Sequence, residues 1–250
     1  MSSTHQPLLV PADTPVHRMA PQCKVAATAL FVLAVACTPP GRYWPYLWYL
    51  LLLAAVAGLA RLPPLLLVRR LLVEVPFLLF VLALPVLGGP PQLAVLGLSL
   101  SAPGLHAAAT ITLKATFGLL ATGVLAATTP LPAIITGLER LRVPRVFTAV
   151  ASFMVRYLEV LAAELARMRI AAACRGANPR WIWQVRDVTA GLGALVVRSL
   201  ERGERVYLAM ASRGYTGALP VALSGAAASR AAWAGALAIP ALAAIGMVLG

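Results

Sequence analysis

The sequence predicts an all-α integral membrane protein, with about five transmembrane helices and a cytoplasmic pair of long amphipathic helices inserted before the last span. Three observations predict this class. Of the 250 residues, 60% are hydrophobic and only 12% are charged, which is about half the charged fraction of an average soluble protein. Several charge-free windows are long enough to cross about 30 Å of hydrocarbon as helices. One arginine-rich segment separates these windows from the last span.

The charge-free windows place the first four spans within residues 24–127 and the last span within residues 226–250. The first span ends where two prolines and a glycine follow Thr38, because proline lacks a backbone donor. The second begins in a cluster of Tyr and Trp residues, which favour the membrane interface. The third is predicted from about residue 71 to residue 87, and the fourth from about 105 to 127.

Two features of this region leave alternatives open. Residues 92–103 are apolar but too short to cross, so a re-entrant or interfacial segment is predicted there. Lys114 lies inside the fourth span, where a charged side chain costs about 2.5 to 3.5 kcal/mol on insertion. Its side chain either reaches the outer headgroups or contacts another subunit.

Positive charge is concentrated between Glu139 and Arg213, a segment with 13 arginines against six acidic residues. Its net charge of +7 is more than half of the +13 of the whole chain. An excess of Arg and Lys indicates the cytoplasmic side. The same rule places Arg61, Arg69 and Arg70 in the cytoplasm. Residues 1–23 carry prolines and polar residues instead of an apolar signal sequence, and a disordered cytoplasmic tail is predicted there.

Residues 128–217 form the predicted cytoplasmic region. After a short amphipathic helix, two long helices are predicted, each with apolar residues at intervals of three or four. Most arginines lie off these stripes. The stripe residues are, in the first helix, Val146, Val150, Phe153, Tyr157, Leu161, Leu165, Met168 and Ala172, and in the second, Val185, Val188, Leu192, Val196, Ser199, Val206 and Met210.

The two long helices end alike, each with an arginine directly before a glycine. Aligned on these Arg-Gly pairs, residues 167–176 and 205–214 share five identities in ten positions, which indicates a repeated unit. Two interpretations are open. In the first, each pair only caps its helix: the glycine closes the helix in the left-handed conformation, and the arginine complements the negative end of the helix dipole. Alternatively, the guanidinium groups dock onto carboxylates of a cytoplasmic subunit. The chain has no phosphate-binding GxxxxGK[ST] loop of its own, so such a subunit would supply the energy.

Residues 128–169, 174–176 and 198–217 together resemble the T component of energy-coupling factor transporters, the CbiQ/EcfT family. The resemblance implies a transmembrane scaffold of an importer in the bacterial or archaeal cell membrane, with its N-terminus and coupling region in the cytoplasm. It also implies two ABC-type ATPase subunits and one membrane-embedded, substrate-binding S component as partners. By position, the residues that dock on the ATPases are Cys174, Arg175, Gly176, Ser212, Arg213 and Gly214. The family often has Ala where Cys174 and Ser212 stand.

The resemblance further implies a non-catalytic subunit, with ATP bound and hydrolysed by its partners and no cofactor of its own. The three Cys and three His residues are scattered without ligand spacing, so no metal site is predicted. The implied cargo, selected by the S component, is a cobalt or nickel ion or a vitamin, with cobalt favoured. An alternative function is a membrane anchor or enzyme whose basic segment binds anionic lipid or nucleic acid. The importer hypothesis requires no nucleic acid.

Overall fold

The computed structural model describes residues 10, 12–87, 92–95, 98–176, 185–215 and 228–249. The chain divides into two compact units. The first unit comprises residues 1–141 and 224–250, and the second comprises residues 142–223. The described residues are helical apart from one short hairpin, so the predicted all-α class is confirmed.

Most helices have a proline at their beginning. Proline stands at the first or second position of eight of the described helices, where its missing N–H group breaks no helical bond. The first unit contains α1 (Pro15–Arg18), α2 (Pro21–Cys37), α3 (Trp44–Leu59), α4 (Pro64–Leu71), α5 (Val75–Val81), α6 (Leu84–Leu87), β1 (Gln92–Val95), β2 (Leu98–Ser101), α7 (Ala102–Thr128) and α8 (Leu131–Arg140). The second contains α9 (Arg145–Cys174) and α10 (Val185–Ala211), and α11 (Arg230–Leu249) returns to the first unit.

Three described helices are long and apolar enough to cross a membrane: α7, α9 and residues 230–247 of α11. Two apolar helices are shorter, with 17 residues in α2 and 16 in α3, and each extends about 25 Å at 1.5 Å per residue. Length and composition therefore also allow α9 to cross, although the sequence analysis assigns it to the cytoplasm. Its position outside the membrane stays a prediction.

The third predicted span, residues 71–87, is not a single helix. Instead, α4 ends at Leu71, and α5 and α6 are separate short helices. Pro76 and Pro85 interrupt the segment because they cannot donate the hydrogen bonds that would continue a helix. The apolar segment that follows forms an antiparallel hairpin of β1 and β2, with Gln92 opposite Ser101. Residues 96 and 97 of this segment lie outside the described part of the chain.

The predicted N-terminal disorder is wrong for residues 12–23. Thr14 Oγ1 accepts a hydrogen bond from the N–H of His17 at 3.4 Å and caps α1. The N–H of Val10 donates to the carbonyl oxygen of Ala127 at 3.0 Å, and Cys23 is fully buried. Contacts with the end of α7 thus order this segment. Residues 1–9 and 11 of the predicted tail are outside the described residues.

The core of the first unit joins four helices, α2, α3, α7 and α11. Phe117 of α7 stacks on Tyr46 of α3, with ring centroids 5.9 Å apart, and meets Tyr49 edge to face at 6.1 Å. The buried hydroxyl groups of Tyr49 and Thr38 are hydrogen-bonded at 2.9 Å. The buried members of this cluster are Phe31, Val35, Tyr46, Tyr49, Leu53, Phe117, Ala121 and Ala243.

The second unit is an antiparallel pair of α9 and α10. Met168 Cε lies 4.0 Å from the position that a Cβ on Gly191 would take, and Glu164 contacts Arg198 and Arg202 further along α10. The apolar stripe of α9 is half-buried from Phe153 to Met168 and exposed at its beginning, where Val146 lies. The side chains of Val185 and Val188 are outside the described part of the α10 stripe.

Candidate functional site

The first predicted triplet, Cys174 to Gly176, closes α9. Arg175 is the C-cap residue, and its N–H donates to the carbonyl oxygen of Ala172 at 3.0 Å. The N–H of Gly176 donates to Ala173 at 3.0 Å, and the φ of Gly176 is +82°. This left-handed conformation is the one that glycine adopts without steric cost.

The second triplet, Ser212 to Gly214, closes α10 with the same geometry. The N–H of Gly214 donates to the carbonyl oxygen of Ala211, and the N–H of Tyr215 donates to that of Met210, both at 3.0 Å. Gly214 has a φ of +84°. This pair of hydrogen bonds defines a Schellman motif. The capping interpretation of the glycines is therefore confirmed at both helix ends.

Within the described part of the chain, neither docking arginine has a side-chain partner that would prevent it from binding another molecule. Both side chains are exposed, and within the described ranges neither Arg175 nor Arg213 makes a side-chain hydrogen bond or an ion pair. The neighbouring Cys174 and Ser212 are exposed as well. The structure does not bring the two triplets together, because they close opposite ends of an antiparallel pair. It provides two separate exposed sites with one guanidinium each.

Three other arginines of the second unit share one carboxylate as their partner. Glu164 Oε1 accepts from Arg198 Nη1 at 3.2 Å, and Glu164 Oε2 accepts from Arg167 Nη2 at 3.2 Å and from Arg202 Nη2 at 3.4 Å. These four residues are called the Glu164 cluster. The Glu164 side chain is only 15% exposed. Arg202 first, and then Arg198 and Arg167, hold the pKa of this carboxyl below its usual range by hydrogen bonding.

No motif in the sequence marks Glu164 as a functional residue. The spacing of three between Glu164 and Arg167, and of four between Arg198 and Arg202, places each pair on one helix face. The first spacing could have indicated an ion pair on α9, whereas the second places two like charges on one face of α10 and indicates that they need a carboxylate from elsewhere. Neither spacing could show that the two faces meet, because this contact depends on how α9 and α10 pack.

Lys114 has a partner within its own chain. Its Nζ donates to the carbonyl oxygen of Ala36 at 2.7 Å, at the C-terminal end of α2. The negative end of the helix dipole favours a cation at this position. This contact uses one of the three donors of the ammonium group, and the two alternatives considered from the sequence stay predictions.

Comparison with known proteins adds to this geometry. A family model described as CbiQ, cobalt transport protein, matches residues 12–223. The chain belongs to the CbiQ cobalt transport protein family. Both triplets of this CbiQ-family chain lie inside the matched region. The resemblance predicted from the sequence is therefore confirmed.

Two relatives of this CbiQ-family protein extend the comparison. The energy-coupling factor transporter transmembrane protein EcfT of Heliobacterium modesticaldum is 29% identical over 221 residues, which cover 83% of this chain and 82% of the relative. The cobalt transport protein CbiQ of Rhodobacter capsulatus is 31% identical over 128 residues, which cover 50% of this chain and 51% of the relative. Family membership and the apolar helices together identify a multi-pass membrane protein with a role in transport.

Proposed function

We propose that this protein is the non-catalytic T component of an ATP-driven importer of the energy-coupling factor type. It couples two ABC-type ATPases to the movement of one membrane-embedded S component that binds the substrate. ATP is bound and hydrolysed by the partner ATPases. The relative from Heliobacterium modesticaldum, which is named as the transmembrane protein of such a transporter, supports this proposal.

The observation that carries the proposal is the pair of exposed arginines at the two helix ends. Each arginine stands at the end of its helix directly before a left-handed glycine, and neither has an ionic partner among the described residues. A guanidinium presents five donors in a planar fork that suits bidentate binding of a carboxylate. Each of the two triplets would bind an acidic groove on one of the two ATPase copies.

The apolar faces of α9 and α10 support a second contact, with the S component. Exposed apolar surface of this extent marks a protein or membrane contact. A membrane-embedded partner that rests on the two helices would cover part of it. The following large apolar side chains are more than half exposed: Val146, Phe147, Val150, Met154, Leu158, Ile170, Val196, Val197, Leu200, Tyr207 and Leu208.

The proposed cargo is a cobalt or nickel ion or a vitamin, which the S component selects and holds. The matching family model is described as a cobalt transport protein, and a relative carries the same description. Both descriptions favour cobalt. In this proposal the T component transmits movement and does not contact the cargo.

Removal of both guanidinium groups tests ATPase coupling. The Arg175→Ala/Arg213→Ala variant is compared with Arg156→Ala/Arg169→Ala, which removes two exposed arginines that have no side-chain partner among the described residues. We expect the first variant to insert in the membrane but to lose the co-purifying ATPases and the uptake of radioactive cobalt. The control keeps both. A full complement of ATPase and normal uptake in the first variant would refute the proposal.

Two native cysteines test the proposed orientation. Cys37 and Cys174 are both exposed, and the proposal places Cys37 outside and Cys174 in the cytoplasm of a bacterial or archaeal cell. In single-cysteine variants, a membrane-impermeant maleimide added to intact cells should label Cys37 alone. In inverted vesicles the same reagent should label Cys174 alone. Labelling of Cys174 from outside would contradict a cytoplasmic position of α9.

A further inference from the structure

Glu164 and Arg202 stand at the same interval before the two docking triplets, just outside the repeated segments 167–176 and 205–214. The sequence offset between Glu164 and Arg202 equals the offset between Arg175 and Arg213, and the ion pair at 3.4 Å joins the first two. Because Glu164 contacts both Arg198 and Arg202, this part of α9 faces this part of α10.

The contact between Glu164 and Arg202 lies at the same sequence interval from both docking triplets. Arg175 follows Glu164 by the same interval of sequence by which Arg213 follows Arg202, and this interval is about three helical turns. At 1.5 Å per residue, each arginine is about 16 Å along its helix from this contact. With these two lengths fixed, the angle between α9 and α10 determines how far apart the two helix ends stand.

The carboxylate is placed to set that angle. It accepts hydrogen bonds from one arginine of α9 and two of α10, whereas apolar side chains around this part of α10, such as Val196 and Leu200, remain more than half exposed. Without Glu164, three guanidinium groups would face one another and repel. A network of several hydrogen-bonded ion pairs fixes the arrangement of two helices more strongly than an isolated surface ion pair does.

We propose that Glu164 is a positioning residue that holds α9 and α10 at one crossing angle and thereby sets the separation of Arg175 and Arg213. This inference rests on the proposed function for its meaning in transport. The geometric part can be measured on the T component alone, and the transport part requires the partner ATPases.

The geometric test measures the distance between spin labels at the two helix ends. The labels are attached to Cys174 and to a cysteine introduced by Ser212→Cys, in full-length protein with Cys23→Ala and Cys37→Ala, reconstituted in nanodiscs. We expect Glu164→Gln to shift and broaden the distance distribution. Glu159→Gln removes an exposed carboxylate of the same helix that has no ion pair among the described residues, and should leave the distribution unchanged.

A charge exchange between Glu164 and Arg202 separates positioning from a general loss of folding. The variant Glu164→Arg/Arg202→Glu moves the carboxylate to α10 and one guanidinium to α9, so that three guanidinium groups again surround one carboxylate, and it should restore the narrow distribution. A Glu164→Gln distribution identical to that of the wild type would overturn the proposal. The proposal would also be overturned if the distance distribution of the exchange variant were as broad as that of Glu164→Gln.

The transport readout uses the same variants without labels, in complex with the ATPases. We expect Glu164→Gln to retain bound ATPase, because both docking arginines are present, and to lose cobalt uptake per ATP hydrolysed. The exchange variant should recover this ratio, and an unchanged ratio in Glu164→Gln would overturn the link to transport. If the wild type binds no ATPase, the proposed function fails, while the label distances still decide whether Glu164 sets the crossing.

Discussion

The ammonium group of Lys24 donates to the carbonyl oxygen of Thr128 at 3.1 Å and so connects the first turn of α2 to the last residue of α7. The same Nζ donates to the carbonyl oxygen of His17 at 3.1 Å and to Thr129 Oγ1 at 3.2 Å. Lys24 is 8% exposed. One buried cation therefore joins the N-terminal segment, the first long helix and the end of α7.

Loss of this cation should destabilise the first unit. In Lys24→Met the three acceptors lose their charged donor, at a cost of about 2 to 3 kcal/mol. The free energy of unfolding in detergent micelles measures the effect. Lys114→Met is the matched control, because its ammonium makes one hydrogen bond, to Ala36, at a more exposed site. Equal losses in the two variants would show that the three contacts of Lys24 carry no additional stability.

Gly104 should not tolerate a side chain. A Cβ at this position would lie 2.7 Å from the carbonyl oxygen of Leu84 and 3.0 Å from the Cα of Pro85, so the backbone itself would have to move. We expect Gly104→Ala to cost about 1 to 3 kcal/mol of unfolding free energy. Gly118→Ala lies in the same helix with open space around it, and should stabilise by about 0.5 to 1 kcal/mol. A stabilising Gly104→Ala would contradict the close approach.

The glycine that closes α10 should be required for its backbone conformation alone. A Cβ on Gly214 would meet no atom within 4 Å, so Gly214→Ala should cost about 1 to 2 kcal/mol through its positive φ. Gly203→Ala, inside the same helix and equally unobstructed, should stabilise by about 0.5 to 1 kcal/mol. Denaturant titration of both variants measures the change in the free energy of unfolding, which should have opposite signs. A change of the same sign in both variants would contradict the left-handed closure of α10.

The pairing of α9 and α10 should weaken in acid. The pKa of Glu164 is lowered in the folded protein, so its stabilising effect is present above the ordinary value of 4.5 and is lost as the pH falls through the lower folded value. The label distance between Cys174 and Ser212→Cys should therefore stay constant from neutral pH to about 4.5 and broaden below it. In Glu164→Gln the distance should not respond to pH. An acid response that persists in Glu164→Gln would assign the titration to another group.

The sequence by itself predicted those features that depend on neighbours along the chain. The mean hydropathy and the apolar periods predicted the helical membrane class and the two long amphipathic helices. The two Arg-Gly pairs predicted where α9 and α10 end, because the left-handed conformation of a closing glycine is a local property. The motif residues and the family resemblance also came from short, contiguous segments.

Only the tertiary structure decided which distant groups meet. Residues 12–23 adopt a defined conformation through contacts with α7, which is remote in the sequence. The partners of Lys24 at the end of α7 are equally remote. Prolines were visible within the third predicted span, but only the folded chain showed that they divide it into short helices. The partners of Glu164 on α10 follow from the packing of α9 against α10. Hydropathy and periodicity show which face of a helix is apolar or charged, but not which face of another helix it contacts.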